Sequence, residues 1–142
     1  MKKYIPRVLE TALMKYLKVF PIVGIIGPRQ SGKSTMLKQM FSDLYTYVTF
    51  DDPKIVAQLQ DDPDKFMRIY DNRVIFDEAH KAPELFDILK LTVDNDRDNY
   101  GKYILTGSAQ FALMKGVSES LAGRIGLLSL LPFQFRDKLE IT

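Results

Sequence analysis

The chain has 142 residues, the size of one ordinary domain, and its mixture of 46% apolar and 27% charged residues argues against intrinsic disorder. It has no cysteine, which excludes a disulfide framework and a thiolate metal site. A net charge of +2 is too balanced to indicate nucleic-acid binding by charge alone. Apolar runs fall short of the roughly 20 residues of a membrane helix, and the N-terminal segment does not resemble a secretory signal. We therefore expect a soluble, cytoplasmic, single-domain chain with no membrane partner.

Apolar segments alternate with amphipathic helix patterns along the chain. An amphipathic helix with a basic outer face is predicted over residues 7–20, and a continuous apolar strand follows at 22–26. Further strands are predicted at 45–50, 74–76, 103–105 and 125–131. Helices are predicted at 36–41, after each Asp-Asp-Pro segment (51–53 and 61–63), after Pro83 and at 111–114, with a short turn or helix at 118–123. Alternating strands and helices predict a three-layer α/β domain, with helices on both faces of a mostly parallel five-stranded sheet.

The segment GPRQSGKS at residues 27–34 matches the phosphate-binding pattern G-x-x-x-x-G-K-[ST]. Its glycines let backbone N–H groups curl around an anion, and the next helix points its positive dipole end at the same place. Lys33 is predicted to reach the β- and γ-phosphates, and the Ser34 hydroxyl to bind Mg²⁺. The other positions predicted to bind the nucleotide are Gly27, Arg29, Gln30, Ser31 and Gly32. The strand before the segment and the helix after it are the context that this motif requires.

The third predicted strand ends in an acidic pair, Asp77 and Glu78. Asp77 is predicted to hold Mg²⁺ together with Ser34, directly or through water, although a helix cap is the alternative. Glu78 is predicted to act as a general base on the attacking water. The acidic pair resembles that of the P-loop class in which a catalytic glutamate drives hydrolysis, a class that signal GTPases resemble poorly. The sequence also has no Asn-Lys-x-Asp segment of the kind that reads guanine, so ATP is favoured over GTP.

Residues 77–80 also spell Asp-Glu-Ala-His, the second motif of DEAH-type helicases. Two features distinguish this chain from those helicases. They look like a pair of such domains working together, whereas this chain has the size of one domain. Their Ser-Ala-Thr motif is replaced here by residues 106–109, Thr-Gly-Ser-Ala. We therefore expect His80 to be a rim or capping residue, with a coupling role as the alternative.

Two further groups of polar residues are candidates for the site. Thr106 and Ser108 close the fourth strand, where they could position water and sense hydrolysis, or else serve as turn and cap residues. Arg124 could stabilise transition-state charge, in its own chain or across a subunit interface, or form a structural ion pair. Arg29 is a second candidate for the charge-stabilising role.

Five segments in order resemble one family: GPRQSGKST, YVTFDDP, VIFDEAH, ILTGSAQ and SESLAGRI. From about Val19 to Phe135 the chain is similar to the AAA-type ATP-binding proteins of bacteria and archaea related to the signal-transducing ATPases with numerous domains (the STAND class). The resemblance implies a P-loop NTPase fold with strand order 5-1-4-3-2, ATP and Mg²⁺ as cofactors, and hydrolysis coupled to conformational change. It adds Thr35 to the phosphate-binding residues, and it implies that Thr106 and Ser108 lie on the sensor strand and that Arg124 is the arginine of the SLAGR segment.

The chain departs from this family in two respects. Ala79 and His80 stand where an apolar residue and glutamine usually follow the acidic pair. Members of the family usually continue into a helical lid and a C-terminal domain. We therefore expect residues 1–142 to be a truncated AAA-type ATPase core, with weak binding and slow turnover on its own. A second copy or a protein partner would act through the missing C-terminal part.

Three functions remain open from the sequence. The first is an ATPase core. The second is a nucleotide-gated interaction module with little hydrolysis, in which the loop at Asp51–Asp52 and the sensor loop would switch. The third is a DNA-associated, helicase-like ATPase, which rests only on His80 and the basic N-terminus.

Overall fold

A computed structural model of the chain describes residues 7–28, 32–108, 114–130 and 139–141. The helices are α1 (Arg7–Tyr16), α2 (Lys33–Phe41), α3 (Pro53–Asp61), α4 (Pro63–Ile69) and α5 (Glu84–Asp94). The strands are β1 (Ile22–Ile26), β2 (Thr46–Thr49), β3 (Val74–Asp77), β4 (Tyr103–Gly107), β5 (Ile125–Leu130) and β6 (Leu139–Ile141). A 3₁₀ turn covers Ala79–Lys81, and a π turn covers Val117–Leu121.

The six strands form one sheet in the order β2-β3-β4-β1-β5-β6. Strands β1 to β5 are parallel, so the predicted order 5-1-4-3-2 and the α/β class are confirmed. In the register, Ile26 of β1 lies opposite Gly107 of β4, and Thr49 of β2 lies opposite Asp77 of β3. The carboxyl ends of these four strands therefore meet at one edge of the sheet, where the loops that follow them can share a site.

The edge strand β6 is an addition to the predicted five-stranded sheet. Its three residues pair antiparallel with β5, Leu130 lying opposite Leu139. A segment this short has no measurable periodicity, which is why the sequence pattern did not reveal it.

Other element boundaries differ from the predictions by a few residues. The first helix ends at Tyr16 rather than at residue 20, because the chain then turns to pair with the segment before β4. There the carbonyls of Phe20 and Pro21 accept hydrogen bonds from Gly101 and Lys102. Most of the helix predicted at 111–114 and the last residue of the strand predicted at 125–131 lie outside the described residues.

The core has two apolar layers, one on each face of the sheet. Alternation along β3 places Ile75 on the face covered by α1 and α2, and Phe76 on the face covered by α3, α4 and α5. The same alternation in β1 places Val23 and Ile25 on the face of Ile75, and Ile22 and Ile26 on the face of Phe76. Burial of apolar side chains on both faces produces the predicted three-layer arrangement.

Both Asp-Asp-Pro segments begin helices as predicted. The Asp52 side chain accepts a 2.9 Å hydrogen bond from the N–H of Lys54, and the Asp62 side chain accepts one of 3.1 Å from the N–H of Lys65. Proline occupies the first position of each helix. None of the helices in the described ranges has the length and apolar character needed to cross a bilayer.

Candidate functional site

The segment with the phosphate-binding pattern connects β1 to α2. The N–H of Gly27 donates to the carbonyl of Gly107 at 3.2 Å, which attaches the start of this segment to the end of β4. Gly32 has φ 92°, a left-handed conformation that a residue with a side chain rarely adopts, and α2 begins directly after it. Arg29, Gln30 and Ser31 lie outside the described residues, so their nucleotide contacts stay predictions.

Lys33 is the first residue of α2, and its side chain is almost fully buried. Its ammonium group donates to the Pro28 carbonyl at 3.4 Å. Lys33 borders a cavity of about 250 Å³ at the carboxyl edge of the sheet. The residues that line this cavity are Gly32, Lys33, Ser34, Thr35, Asp51, Asp77 and Glu78. The fold therefore brings the glycine-rich segment and the acidic pair together around one space.

Three hydroxyl groups from three different elements hold Asp77 in place. Thr106 donates to Asp77 Oδ1 at 2.6 Å, and Ser34 donates to the same oxygen at 3.4 Å. Thr49 donates to Oδ2 at 3.0 Å. Asp77 is buried, and these partners are side chains rather than the N–H groups of a helix start. Among the described residues, the hydrogen-bond partners of the Asp77 side chain hold its carboxylate at the cavity, and Asp77 does not cap a helix.

The donor atoms at this place fit a hard divalent cation. Mg²⁺ prefers oxygen ligands such as the Ser34 hydroxyl and the Asp77 carboxylate, which already lie within 3.4 Å of each other. One carboxylate oxygen from each of Asp51, Asp77 and Glu78 lies within 4.8 Å of the others. Three such carboxylates repel one another, and a bound cation would relieve this repulsion.

Glu78 follows β3 in a strained conformation that turns its side chain toward β4. Its backbone has φ 52° and ψ 48°, which costs a residue other than glycine about 1–2 kcal/mol. The carboxylate oxygen Oε1 accepts hydrogen bonds from the Ser108 hydroxyl at 2.9 Å and from the Ser108 N–H at 3.2 Å. His80 Nδ1 lies 3.5 Å from the same oxygen. Ser108 and His80 thus both contact the predicted general base at the same carboxylate oxygen.

Two residues of β2 belong to the site but were not identified from the sequence. Thr49 holds Asp77, as described above. Burial raises the pKa of the Tyr47 phenol well above its ordinary value, and the nearby Asp77 and Glu78 carboxylates raise it further, although a hydrogen bond with Ser34 acts in the opposite direction. The Tyr47 side chain therefore lies close to Ser34 and to the acidic pair. The sequence feature that could have identified these residues is the polar end of β2 at Thr49. It becomes informative only when β2 is known to lie beside β3.

The structure does not bring Arg124 to the cavity of its own chain. Arg124 precedes β5, whose first residue, Ile125, lies opposite Ile22 at the start of β1. The phosphate-binding segment follows the other end of β1, about 15 Å away at 3.3 Å per residue. Arg124 instead donates to both carboxylate oxygens of Asp94, at 2.8 and 2.9 Å. Within its own chain, Arg124 therefore forms the structural ion pair that was one of its alternatives, away from the cavity. Its role across a subunit interface stays a prediction.

The Arg124–Asp94 pair shifts the titration of both groups. Its hydrogen bonds raise the pKa of Arg124 and, with the guanidinium charge, lower the pKa of Asp94 below 3.8. The pair joins the start of β5 to the end of α5, so its position is consistent with a structural function.

Comparison with known proteins agrees with this geometry. A sequence model described as "AAA domain" matches residues 19–139. The chain belongs to the AAA domain family. This AAA domain has the α/β fold with the predicted strand order and is a nucleotide-binding, ATPase-like domain.

Two mycobacterial proteins are similar to this AAA domain along most of its length. They are the uncharacterized protein Mb2031c of Mycobacterium bovis and the uncharacterized protein Rv2008c of Mycobacterium tuberculosis. Each is 33% identical over 126 residues, which cover 88% of this chain and 28% of the relative. The chain thus spans little more than a quarter of the length of these relatives.

Proposed function

We propose that the domain binds ATP with Mg²⁺ and hydrolyses it to ADP and phosphate. The observation that carries this proposal is the hydrogen bond from Ser34 to Asp77, two residues that are 43 positions apart in the sequence. It joins the glycine-rich segment to the acidic pair at the cavity that Lys33 also lines. A cation, a hydroxyl and a carboxylate around one space are the groups that a metal-bound triphosphate requires.

Each group has a role in this proposal. The Lys33 ammonium and the N–H groups at the start of α2, near Gly32 and Thr35, bind the β- and γ-phosphates. Ser34 and Asp77 would hold Mg²⁺, with Thr106 and Thr49 fixing the orientation of the carboxylate. When bound, Mg²⁺ neutralises part of the phosphate charge.

Glu78 is proposed to accept a proton from the attacking water. The water oxygen forms a bond to the γ-phosphorus, and the bond from that phosphorus to the β–γ bridging oxygen breaks. ADP leaves with the electron pair of the broken bond, and Glu78 holds the proton before releasing it to solvent or to phosphate. Ser108, which donates to Glu78 Oε1, is proposed to orient the carboxylate.

Phosphate release by the wild-type chain and by Glu78→Gln tests this proposal. We expect the variant to keep its affinity for ATP and to lose about 10²- to 10⁴-fold in rate, because an amide cannot accept the proton. Glu84→Gln is the matched control, since Glu84 is exposed at the start of α5, and it should hydrolyse ATP like the wild type. A wild-type chain that shows no affinity for Mg-ATP would refute the proposal.

The hydrogen bonds to Glu78 favour one second candidate, a nucleotide-gated module with little hydrolysis. Ser108 occupies the oxygen Oε1, and His80 contacts the same oxygen, so one half of the carboxylate faces protein rather than water. Normal ATP affinity without phosphate release, even at high protein concentration, would support this candidate over the ATPase.

A further inference from the structure

An ion pair that neither the motifs nor the proposed roles include lies at the rim of the cavity. The Lys81 ammonium donates to Asp51 Oδ1 at 2.5 Å. Asp51 lines the same cavity as Lys33 and Ser34. A carboxylate oxygen of Asp51 also lies within 4.8 Å of those of Asp77 and Glu78. Lys81 therefore holds a positive charge that is joined by one ion pair to the lining of the cavity proposed to bind the triphosphate.

The local backbone links Lys81 to the proposed general base. Lys81 ends the 3₁₀ turn that begins directly after Glu78, and its N–H donates to the Glu78 carbonyl at 3.1 Å. The side chains of Lys81 and Asp51 are 42% and 36% exposed, so water screens their attraction. An exposed ion pair of this kind contributes little to stability, and its members can exchange partners at small cost.

In the proposed function Lys33 and Mg²⁺ act on the phosphates, and many sites that hydrolyse a triphosphate add a further cation at the transferring group. Arg124 does not provide this further cation within its own chain, because it is bound to Asp94 at the other edge of the sheet. The second candidate, Arg29, lies outside the described residues. We propose that Lys81 is a catalytic residue that moves from Asp51 to an oxygen of the terminal phosphate when ATP occupies the cavity. This inference rests on the proposed function and adds a residue to the same site.

The charges favour such an exchange. A bound triphosphate presents several negative charges to the ammonium group, whereas Asp51 presents one. Lys81 keeps all its protons throughout, while the proton of the water still passes to Glu78 and the electron pair still leaves with ADP. The contribution of Lys81 is to neutralise the charge that develops on the γ-phosphoryl oxygens. Asp51 holds the ammonium group near the cavity until then.

Four variants test the assignment: Lys81→Ala, Lys81→Arg, Asp51→Asn and Lys54→Ala. We expect Lys81→Ala to lower kcat for phosphate release at least tenfold and to reduce the preference for a non-hydrolysable ATP analogue over ADP, measured by titration calorimetry. Lys81→Arg should recover most of both properties, because it restores a cation of similar reach. Lys54→Ala removes an exposed lysine three residues after Asp51 and should match the wild type.

The Asp51→Asn variant separates a direct role of Lys81 from an indirect one. A lysine that binds phosphate keeps the ATP preference when Asp51 is neutralised, whereas a lysine that only positions Asp51 would make Asp51→Asn equivalent to Lys81→Ala. That equivalence, or a Lys81→Ala variant with wild-type kcat and wild-type ATP preference, would overturn the inference. Matching urea midpoints for the variants and the wild type would verify that all are folded. Failure of the wild type itself to bind Mg-ATP would instead refute the proposed function.

Discussion

The hydroxyl of Thr106 on β4 donates a 2.6 Å hydrogen bond to Oδ1 of Asp77 on the neighbouring strand β3. The same hydroxyl oxygen accepts a hydrogen bond from the N–H of Glu78 at 3.3 Å. Thr106 is fully buried, so water does not compete for either contact. One hydroxyl therefore connects the proposed metal ligand with the backbone of the proposed general base.

Removal of this hydroxyl should affect stability and metal response together. Thr106→Val keeps the volume of the side chain but leaves a buried carboxylate without its shortest hydrogen bond. We expect the free energy of unfolding to fall by about 1–3 kcal/mol and ATP binding to need more Mg²⁺. Urea unfolding and Mg²⁺ titration measure the two effects. Thr92→Val is the control, because the Thr92 hydroxyl donates only to the Ile88 carbonyl of its own helix, and it should leave the Mg²⁺ response unchanged.

The left-handed backbone of Glu78 predicts an unusual order of stability among its variants. Alanine and glycine both remove the carboxylate, but only glycine adopts φ 52° without strain. Relief of that strain exceeds the entropic cost of glycine, so Glu78→Gly should be about 0.5–1 kcal/mol more stable than Glu78→Ala. At Glu84, in the first turn of α5, the order should reverse because alanine is the better helix former. Urea denaturation of the alanine and glycine variants at Glu78 and at Glu84 tests both orders. A Glu78→Gly variant that is less stable than Glu78→Ala would show that the strain is absent.

The Arg124–Asp94 pair predicts a defined pH dependence of stability. Its hydrogen bond lowers the pKa of Asp94 below 3.8 in the folded chain. A carboxylate with a depressed folded pKa stabilises the fold above its unfolded pKa and loses this contribution as the pH falls through the folded pKa. The difference in unfolding free energy between wild type and Asp94→Asn should therefore be constant near neutrality and shrink below pH 3.8. A difference of the same size at about pH 7 and about pH 2 would contradict the assignment.

The parts of the site that were predicted from the sequence are those whose chemistry is local. Residues 27–34 carry the phosphate-binding pattern within eight positions, and the acidic pair follows an apolar strand directly. The structure places Lys33, Ser34 and Asp77 around one cavity, although their functional roles remain proposals. The five-strand order was available from the family resemblance rather than from periodicity, which reports the existence of strands but not their neighbours.

The parts that were not predicted depend on which strand ends lie together. The contact of Thr49 with Asp77 follows from the β2–β3 register, and the contact of Lys81 with Asp51 follows from the loops after those two strands. The strand ends also decide the position of Arg124, which they place away from the site. It lies before β5, so it is at the amino edge of the sheet, whereas the phosphate-binding segment is at the carboxyl edge.

The Mg²⁺ dependence of ATP affinity in the wild type, Lys33→Ala and Asp77→Asn tests most directly whether a lysine and a carboxylate share one metal-bound triphosphate. Asparagine keeps an oxygen that can accept from Thr106, so Asp77→Asn should remain folded. We expect the affinity of the wild type to rise with Mg²⁺, the affinity of Asp77→Asn to lose this rise, and the affinity of Lys33→Ala to be low with and without the metal. A folded Asp77→Asn variant with the same Mg²⁺ dependence as the wild type would contradict the account.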